Sequence, residues 1–260
     1  MPKPSFAFAS IVMAGLLATA GPAAAQRETE TVNRTVPFPD KGVLRLHNFS
    51  GPVRITTTSG REVVIKAVRR AERSRLDTIK LDISTVGSAV VIEANQRDGA
   101  VRDRDGDNVV ETEFDIQVPA AAELEIDVFS SRVTVTGVAG RQTLKTFSGD
   151  IEVVGARAPV DAKTFSARIE VDLVGAGATP DLSAETFSGS IRARVAESAK
   201  GGVRFDSFSG DFESDIPLVM RSSNGSRGRN RNRVTADLPA GAGGATLDFH
   251  TFSGSVRITK

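Results

Sequence analysis

Across most of the chain, apolar residues fall on alternate positions, and the phase of that alternation slips at recurring places. Each slip coincides with the dipeptide Phe-Ser, which occurs seven times, at Phe49, Phe129, Phe147, Phe165, Phe187, Phe208 and Phe252. Five and three residues before Phe stand Leu124/Ile126, Val160/Ala162, Leu182/Ala184, Val203/Phe205 and Leu247/Phe249. Four and six residues after it stand Val133/Val135, Ile151/Val153, Ile169/Val171, Ile191/Ala193 and Val256/Ile258. Period-two alternation on both sides predicts two short strands per copy. Gly149, Gly189, Gly210 and Gly254, each two residues after its Phe, supply the corner between them. Phe shares the phase of the residues that follow it, so the Phe column is expected in the core. On that expectation Phe165→Ala costs about 3–5 kcal/mol, as buried Phe truncations do.

Over the middle copies the Phe residues are 18, 18, 22 and 21 apart, and a gap of 44 follows. An eighth, degenerate copy is expected in that gap. Ser222-Ser223-Asn224-Gly225 stands where Thr-Phe-Ser-Gly should be, with Leu218 and Met220 in apolar phase before it. Residues 226–232 are then inserted, and Arg233-Val234-Thr235-Ala236 resumes the second strand. Such copies could form antiparallel hairpins or stacked rungs. The position three residues after Phe reads Arg132, Asp150, Arg168, Ser190, Asp211 and Arg233. Alternating signs favour in-register stacking, where unlike charges face each other. The expected fold is therefore all-β: a β-solenoid of short strands, with a stack of about 34 Å at the strand spacing. Ahead of it, strand-like runs at 62–68, 78–84, 89–94 and 109–118 are separated by turn signals, and only residues 69–75 suggest a turn of helix. The expected organisation is a leader at 1–25, an antiparallel β-rich region at 26–128, and the repeat array at 129–260 with an Arg-rich loop at 221–233.

The first 25 residues read as a secretory signal: Lys3 is their only charge, an apolar run spans 6–17, and Ala23 and Ala25 fit the small-x-small cleavage rule. The apolar run falls short of the ~20 residues a bilayer span needs, and no later stretch is apolar enough. The expected location is the periplasm or the extracellular space, as a soluble chain cleaved near Ala25.

The segment Ile116-Gln117-Val118-Pro119, followed by Thr146-Phe147-Ser148-Gly149-Asp150-Ile151 and its relatives, resembles the bacterial DUF4097 family. The resemblance covers roughly residues 40–260. It implies an all-β, solenoid-like protein of the cell envelope, grouped with adhesins, and it carries no catalytic residues. The chain departs from the family pattern in its Arg-rich insertion and in placing Phe so regularly before Ser-Gly.

Composition narrows the chemistry. With no Cys there is no disulfide scaffold, thiolate metal site or thiol nucleophile. Lys+Arg number 33 against 32 Asp+Glu, and all 14 aromatics are Phe, which leaves no basic footprint for nucleic acid. Asp150 with Glu152, and Asp211 with Glu213, are the carboxylate pairs a polysaccharide-cleaving solenoid would use, but alternation with Arg132 and Arg168 favours solvated ion pairs. The Ser after each Phe lacks a nucleophile elbow and is expected to bond turn backbone instead. His47 and His250 share a slot, two residues before Phe, with Asp127, Lys145, Lys163, Glu185 and Asp206, which marks a solvent-facing position. Residues 103–108 faintly resemble a calcium loop, yet the spacing is wrong. No metal or cofactor is expected. Arg221, Arg227, Arg229, Arg231 and Arg233 form the candidate binding segment, suited to anionic envelope lipid or glycan. The reading favoured is a non-enzymatic, adhesin-like binding or scaffolding module. The alternatives are a secreted polysaccharide-active enzyme and a structural protein that polymerises end to end through the strand at 257–260.

Overall fold

In the computed structural model each copy folds as one strand before Phe, a corner, and one strand after it. The Phe147 copy consists of Gln142–Thr146 and Ile151–Val154, with Gln142, Leu144, Thr146, Ile151 and Val153 turned inward. The structure describes residues 27–39, 41–97, 109–175, 178–221, 232–241 and 244–260. The expected leader, the calcium-like loop, the segment Ser222-Ser223-Asn224-Gly225, and Arg227, Arg229 and Arg231 lie outside the described residues.

Successive copies stack parallel and in register. Leu144 lies beside Ile126 and Ala162, and Ile151 lies beside Val133 and Ile169. The strands before Phe form an 11-stranded sheet and those after it a 10-stranded sheet. One apolar core, mostly aliphatic but including Phe114, Phe205 and Phe249, fills the space between. This is a β-solenoid with two strands per rung. Each rung re-enters the first sheet through a tight turn, where Gly137 and Gly155 hold φ values of 77° and 71°. A Cβ on Gly155 would meet nothing within 4 Å, so its left-handed backbone, and not crowding, calls for glycine there.

Antiparallel strands close both sheets at the first end of the stack and the 11-stranded sheet alone at the other, where the 10-stranded sheet ends on the parallel strand Phe212–Ser214. At the first end Glu62–Ala71 runs antiparallel to Glu28–Pro37 and to Glu111–Pro119, and Ile79–Val86 runs antiparallel to Ala89–Arg97. The helix lies at Arg73–Thr78, later than the expected 69–75. Arg69 and Arg70 instead extend the strand opposite Thr112 and Glu111, and the buried Arg69 guanidinium donates to Glu30 and to the Ile79 carbonyl.

The last rungs depart from sequence order. Ala245–Thr251 sits between Leu182–Thr186 and Gly201–Ser207, and Ser255–Thr259 sits between Ser190–Arg194 and Phe212–Ser214. The Phe252 rung is therefore inserted beneath the Phe208 rung. Strand Ser255–Thr259 is interior, so it offers no open edge for the expected end-to-end polymerisation. The degenerate copy is likewise not a rung. Asn232–Asp237 runs antiparallel to Gly201–Ser207 in the 11-stranded sheet, and Val219–Met220 pairs with it at the outer edge. With no Thr-Phe-Ser-Gly corner to carry the chain across to the other sheet, this segment folds back within one sheet. Met220, expected inside, is exposed, and Arg233 faces Asp206 instead of joining the column of Asp211.

A ladder of stacked phenylalanines as the candidate functional site

The corner is built on the residue before Phe. Thr146, Thr164, Thr186, Thr251 and Ser207 are all buried there. The Thr146 hydroxyl accepts from the Gly149 N–H at 3.1 Å and reaches the Phe129 and Ser131 carbonyls of the rung below at 3.3 Å. Thr186 accepts from Gly189 at 3.0 Å, and Ser207 from Gly210 at 2.7 Å. The side chain that ties the turn backbone is thus the Thr, not the Ser expected from sequence; the Ser148 hydroxyl donates to Ser130, across the rungs. The Phe129, Phe147, Phe165 and Phe187 carbonyls each accept two N–H groups of the next rung: Phe129 takes those of Phe147 and Ser148, both at 3.0 Å.

Glycine at the corner answers a close approach. A Cβ on Gly149 would sit 1.8 Å from the Ser131 carbonyl oxygen, and one on Gly189 1.8 Å from that of Ala167. Up the stack this column reads Gly51, Ser131, Gly149, Ala167, Gly189, Gly254, Gly210. No two residues bearing a Cβ are adjacent in it.

With Thr turned in and Gly turned in, Phe and Ser between them both turn out. The phase slip therefore consists of two consecutive outward residues, which corrects the expectation of a buried Phe column. Phe49, Phe129, Phe147, Phe165, Phe187, Phe208 and Phe252 are 42–48% exposed. Their rings stack in the order 49, 129, 147, 165, 187, 252, 208, with centroids 4.6–4.9 Å apart and planes within 16° of parallel. These are stacked pairs with centroid separations within the favoured range. The ladder spans six strand spacings, about 29 Å.

Two troughs flank the ladder. On one side a groove of about 510 Å³ is walled by Phe165, Phe187, Phe208 and Phe252 and floored by Lys145, Lys163, Glu185, Asp206 and His250. It continues past Phe129 and Phe147, beside Asp127. The slot two residues before Phe is therefore the solvent-facing charge row expected from sequence. On the other side lies a polar trough of about 540 Å³, lined by Ser166, Ser188, Ser209 and Ser253 together with Asp150 and Asp211.

One acid of each candidate pair is held in an ion pair. Asp150 receives the Arg132 guanidinium at 3.1 Å, the stacked pair that the sign alternation predicts. Glu213 pairs with Arg257 at 3.4 Å. Asp150 and Asp211, one acid from each candidate pair, share the polar trough but stand four rungs apart, about 19 Å, so the two pairs do not converge on one site. Among the described residues no cluster of three His, Asp or Glu side chains is arranged to hold a metal. Of the candidate arginines, Arg221 donates to Asp237 at 2.7 Å, and this hydrogen bond raises its pKa, with the carboxylate charge adding to the effect. Arg233 donates to Asp206 at 2.7 and 3.0 Å. Both are thus paired with acids remote in sequence. Sequence reasoning missed the exposed ladder, although the polar residue turned inward before most of its rings is present in the same motif.

A two-sheet β-solenoid with an outward aromatic ladder is the class of protein these features define. Residues 43–259 match the Toastrack DUF4097 family, and the chain belongs to it. Among solved structures it is similar to a "putative cell adhesion protein" from Clostridium sporogenes, 11% identical over 89% of this chain and 99% of that one, at a TM-score of 0.46. A "putative adhesin" from Bacteroides fragilis is 11% identical over 88% and 97%, at 0.33. A "putative lipid binding protein" from Parabacteroides distasonis is 8% identical over 89% and 97%, at 0.25. No curated protein matches the sequence. No helix among the described residues is long and apolar enough to cross a membrane.

Proposed function

We propose that the protein is an exported, non-enzymatic binding or scaffolding module of the cell envelope, cleaved near Ala25, which docks its partner along the phenylalanine ladder. The exposed ladder is the observation that carries this reading. Seven half-exposed rings of roughly 200 Å² each leave about 600 Å² of continuous apolar surface, at the upper end of what a monomer leaves without a partner. Ion pairing of Asp150 and Glu213, one acid of each candidate pair, speaks against the polysaccharide-cleaving alternative. The sequence of the Arg221–Arg233 segment supports a second contact, with anionic envelope lipid or glycan, to which Arg227, Arg229 and Arg231 contribute.

The test is a photo-crosslinking amino acid, benzoylphenylalanine, installed at Phe165 in the native host. Envelope adducts are expected there and not from Val154, which is exposed on the outer face of the 10-stranded sheet. Absence of any adduct at Phe165 overturns the ladder as a docking surface. Changing the five arginines to Ser is expected to abolish salt-sensitive binding to anionic outer-membrane vesicles, and unchanged binding removes the second contact.

A further inference from the structure

The charge row beside the ladder has a symmetry that names an occupant. From one end of the stack to the other it reads His47, Asp127, Lys145, Lys163, Glu185, His250, Asp206, each residue in register with the next. We infer that the ladder docks a second copy of this chain, antiparallel, about a twofold axis through the Phe165 rung; this rests on the ladder being a docking surface.

Two ladders can face each other in two ways. A twofold axis parallel to the stack sets the charge row of one copy against the Ser trough of the other. A twofold axis across the stack, lying in the plane of the interface, sets charge row against charge row with the rung order reversed. In the second arrangement, centred on Phe165, Lys145 faces Glu185, His47 faces Asp206 and Asp127 faces His250, each pair occurring twice. A histidine donates to a carboxylate in either protonation state. At the centre Lys163 meets its own copy, but each Lys163 is already neutralised by its own Glu185 at 3.3 Å. Among the described residues neither Asp127 nor Lys145 has an ion-pair partner; this arrangement gives Asp127 the partner copy's His250 and lets Lys145 share the Glu185 that already holds Lys163.

Sliding the copies by one rung worsens the match. In one direction Lys163 faces Glu185 but Asp127 faces Asp206 and Lys145 faces His250; in the other Asp127 faces Glu185 and Lys145 faces Lys163. Like charges set opposite each other are destabilising, so the row selects one register. The ladders would bury about 1,200 Å² between them, which reaches the lower bound for a specific interface.

The chain contains no Cys, so single cysteines report the geometry directly. In Lys163→Cys the two thiols lie across the axis, whereas in Asp127→Cys they lie four rungs apart, about 19 Å, beyond a bismaleimide of about 10 Å span. The expected result is a covalent dimer from Lys163→Cys and none from Asp127→Cys. Sedimentation equilibrium of the full chain should show a dimer that Lys145→Glu weakens at least about tenfold, roughly 1.4 kcal/mol. Lys145→Glu combined with Glu185→Lys should restore it to within about threefold, with a thermal melt confirming that each variant is folded. Efficient cross-linking from Asp127→Cys, or failure of the double reversal to restore the dimer, overturns the register. A monomer at every concentration overturns self-docking. If Phe165 meanwhile captures an adduct other than twice the chain's mass, the docking surface stands and only its assignment to a second copy fails.

Discussion

Two columns run the length of the stack one residue apart, and they behave as opposites. The Thr146 column is buried and, except at Val128, polar, with the Thr146 hydroxyl bonded to backbone on two rungs; the Phe147 column is apolar and half exposed. Hydrophobicity alone would exchange them. What decides is that the backbone groups of a sharp corner inside a sheet stack are cut off from water and need a partner. A hydroxyl can supply that partner and a phenyl ring cannot. The polar residue is therefore drawn in and the apolar one displaced to the surface, where its rings recover part of their burial by stacking on one another.

The largest expected effect comes from filling the space on which the buried column depends. Gly149→Ala places Cβ against the Ser131 carbonyl and makes three adjacent positions, 131, 149 and 167, bear a Cβ, a pattern absent elsewhere in that column. The cost should be about 3 kcal/mol, the top of the usual range for overpacking, read from urea unfolding. The reverse change, Ala167→Gly, should cost less than about 1 kcal/mol, since it removes one methyl and leaves the carbonyl that approaches Gly189 in place. Equal effects from the two would show that stacking distance does not set the glycine pattern.

Next comes the hydroxyl itself. Thr146→Val keeps the shape but leaves the buried Gly149 N–H without an acceptor, a loss of about 1–3 kcal/mol. Thr164 is the natural control, because its buried hydroxyl has no hydrogen-bond partner and the residue three further on is Ala167 rather than Gly. Thr164→Val should be neutral or stabilising. A matching loss at both positions would mean the threonines act by packing and not by bonding.

Phe165→Ala comes third. The ring is only half buried and flanked by Phe147 and Phe187 at 4.9 and 4.8 Å. Its removal should cost about 1–2 kcal/mol, from partial burial together with two stacking contacts, when measured at a dilution where the chain is monomeric. A cost of 3 kcal/mol or more would return the ladder to the core.

The strands themselves were legible because alternation with period two is a local signal, and stacking was legible from Arg132 against Asp150. The direction in which Phe points was not, since alternation assigns one face per step and a corner spends two steps on the same face. Rung order after Phe187 was equally hidden: nothing local distinguishes a rung added at the end from one inserted before it, as the Phe252 rung is. The Arg-rich segment looked uncompensated because Asp206 and Asp237, which receive Arg233 and Arg221, come to it only through strand pairing.

The smallest effect tests whether charge on the surface distinguishes the rungs at all. Arg132 and Asp150 are in contact at 3.1 Å, yet the Arg132 side chain is two-thirds exposed. Water screens such a pair and holding the long side chain costs entropy, so Arg132→Ala should change stability by no more than about 1 kcal/mol, less in high salt. The backbone contact beneath the pair is independent of it: Asp150 also accepts from the Arg168 N–H at 3.1 Å. Asp150→Asn keeps an oxygen for that amide while removing the charge, so it should cost no more than Arg132→Ala, whereas Asp150→Ala, which removes both, should cost more than either. If the Asn and Ala variants prove equal, the carboxylate acts on its neighbours through charge alone, and the sign alternation along this column, rather than the hydrogen bond, fixes the order of the rungs.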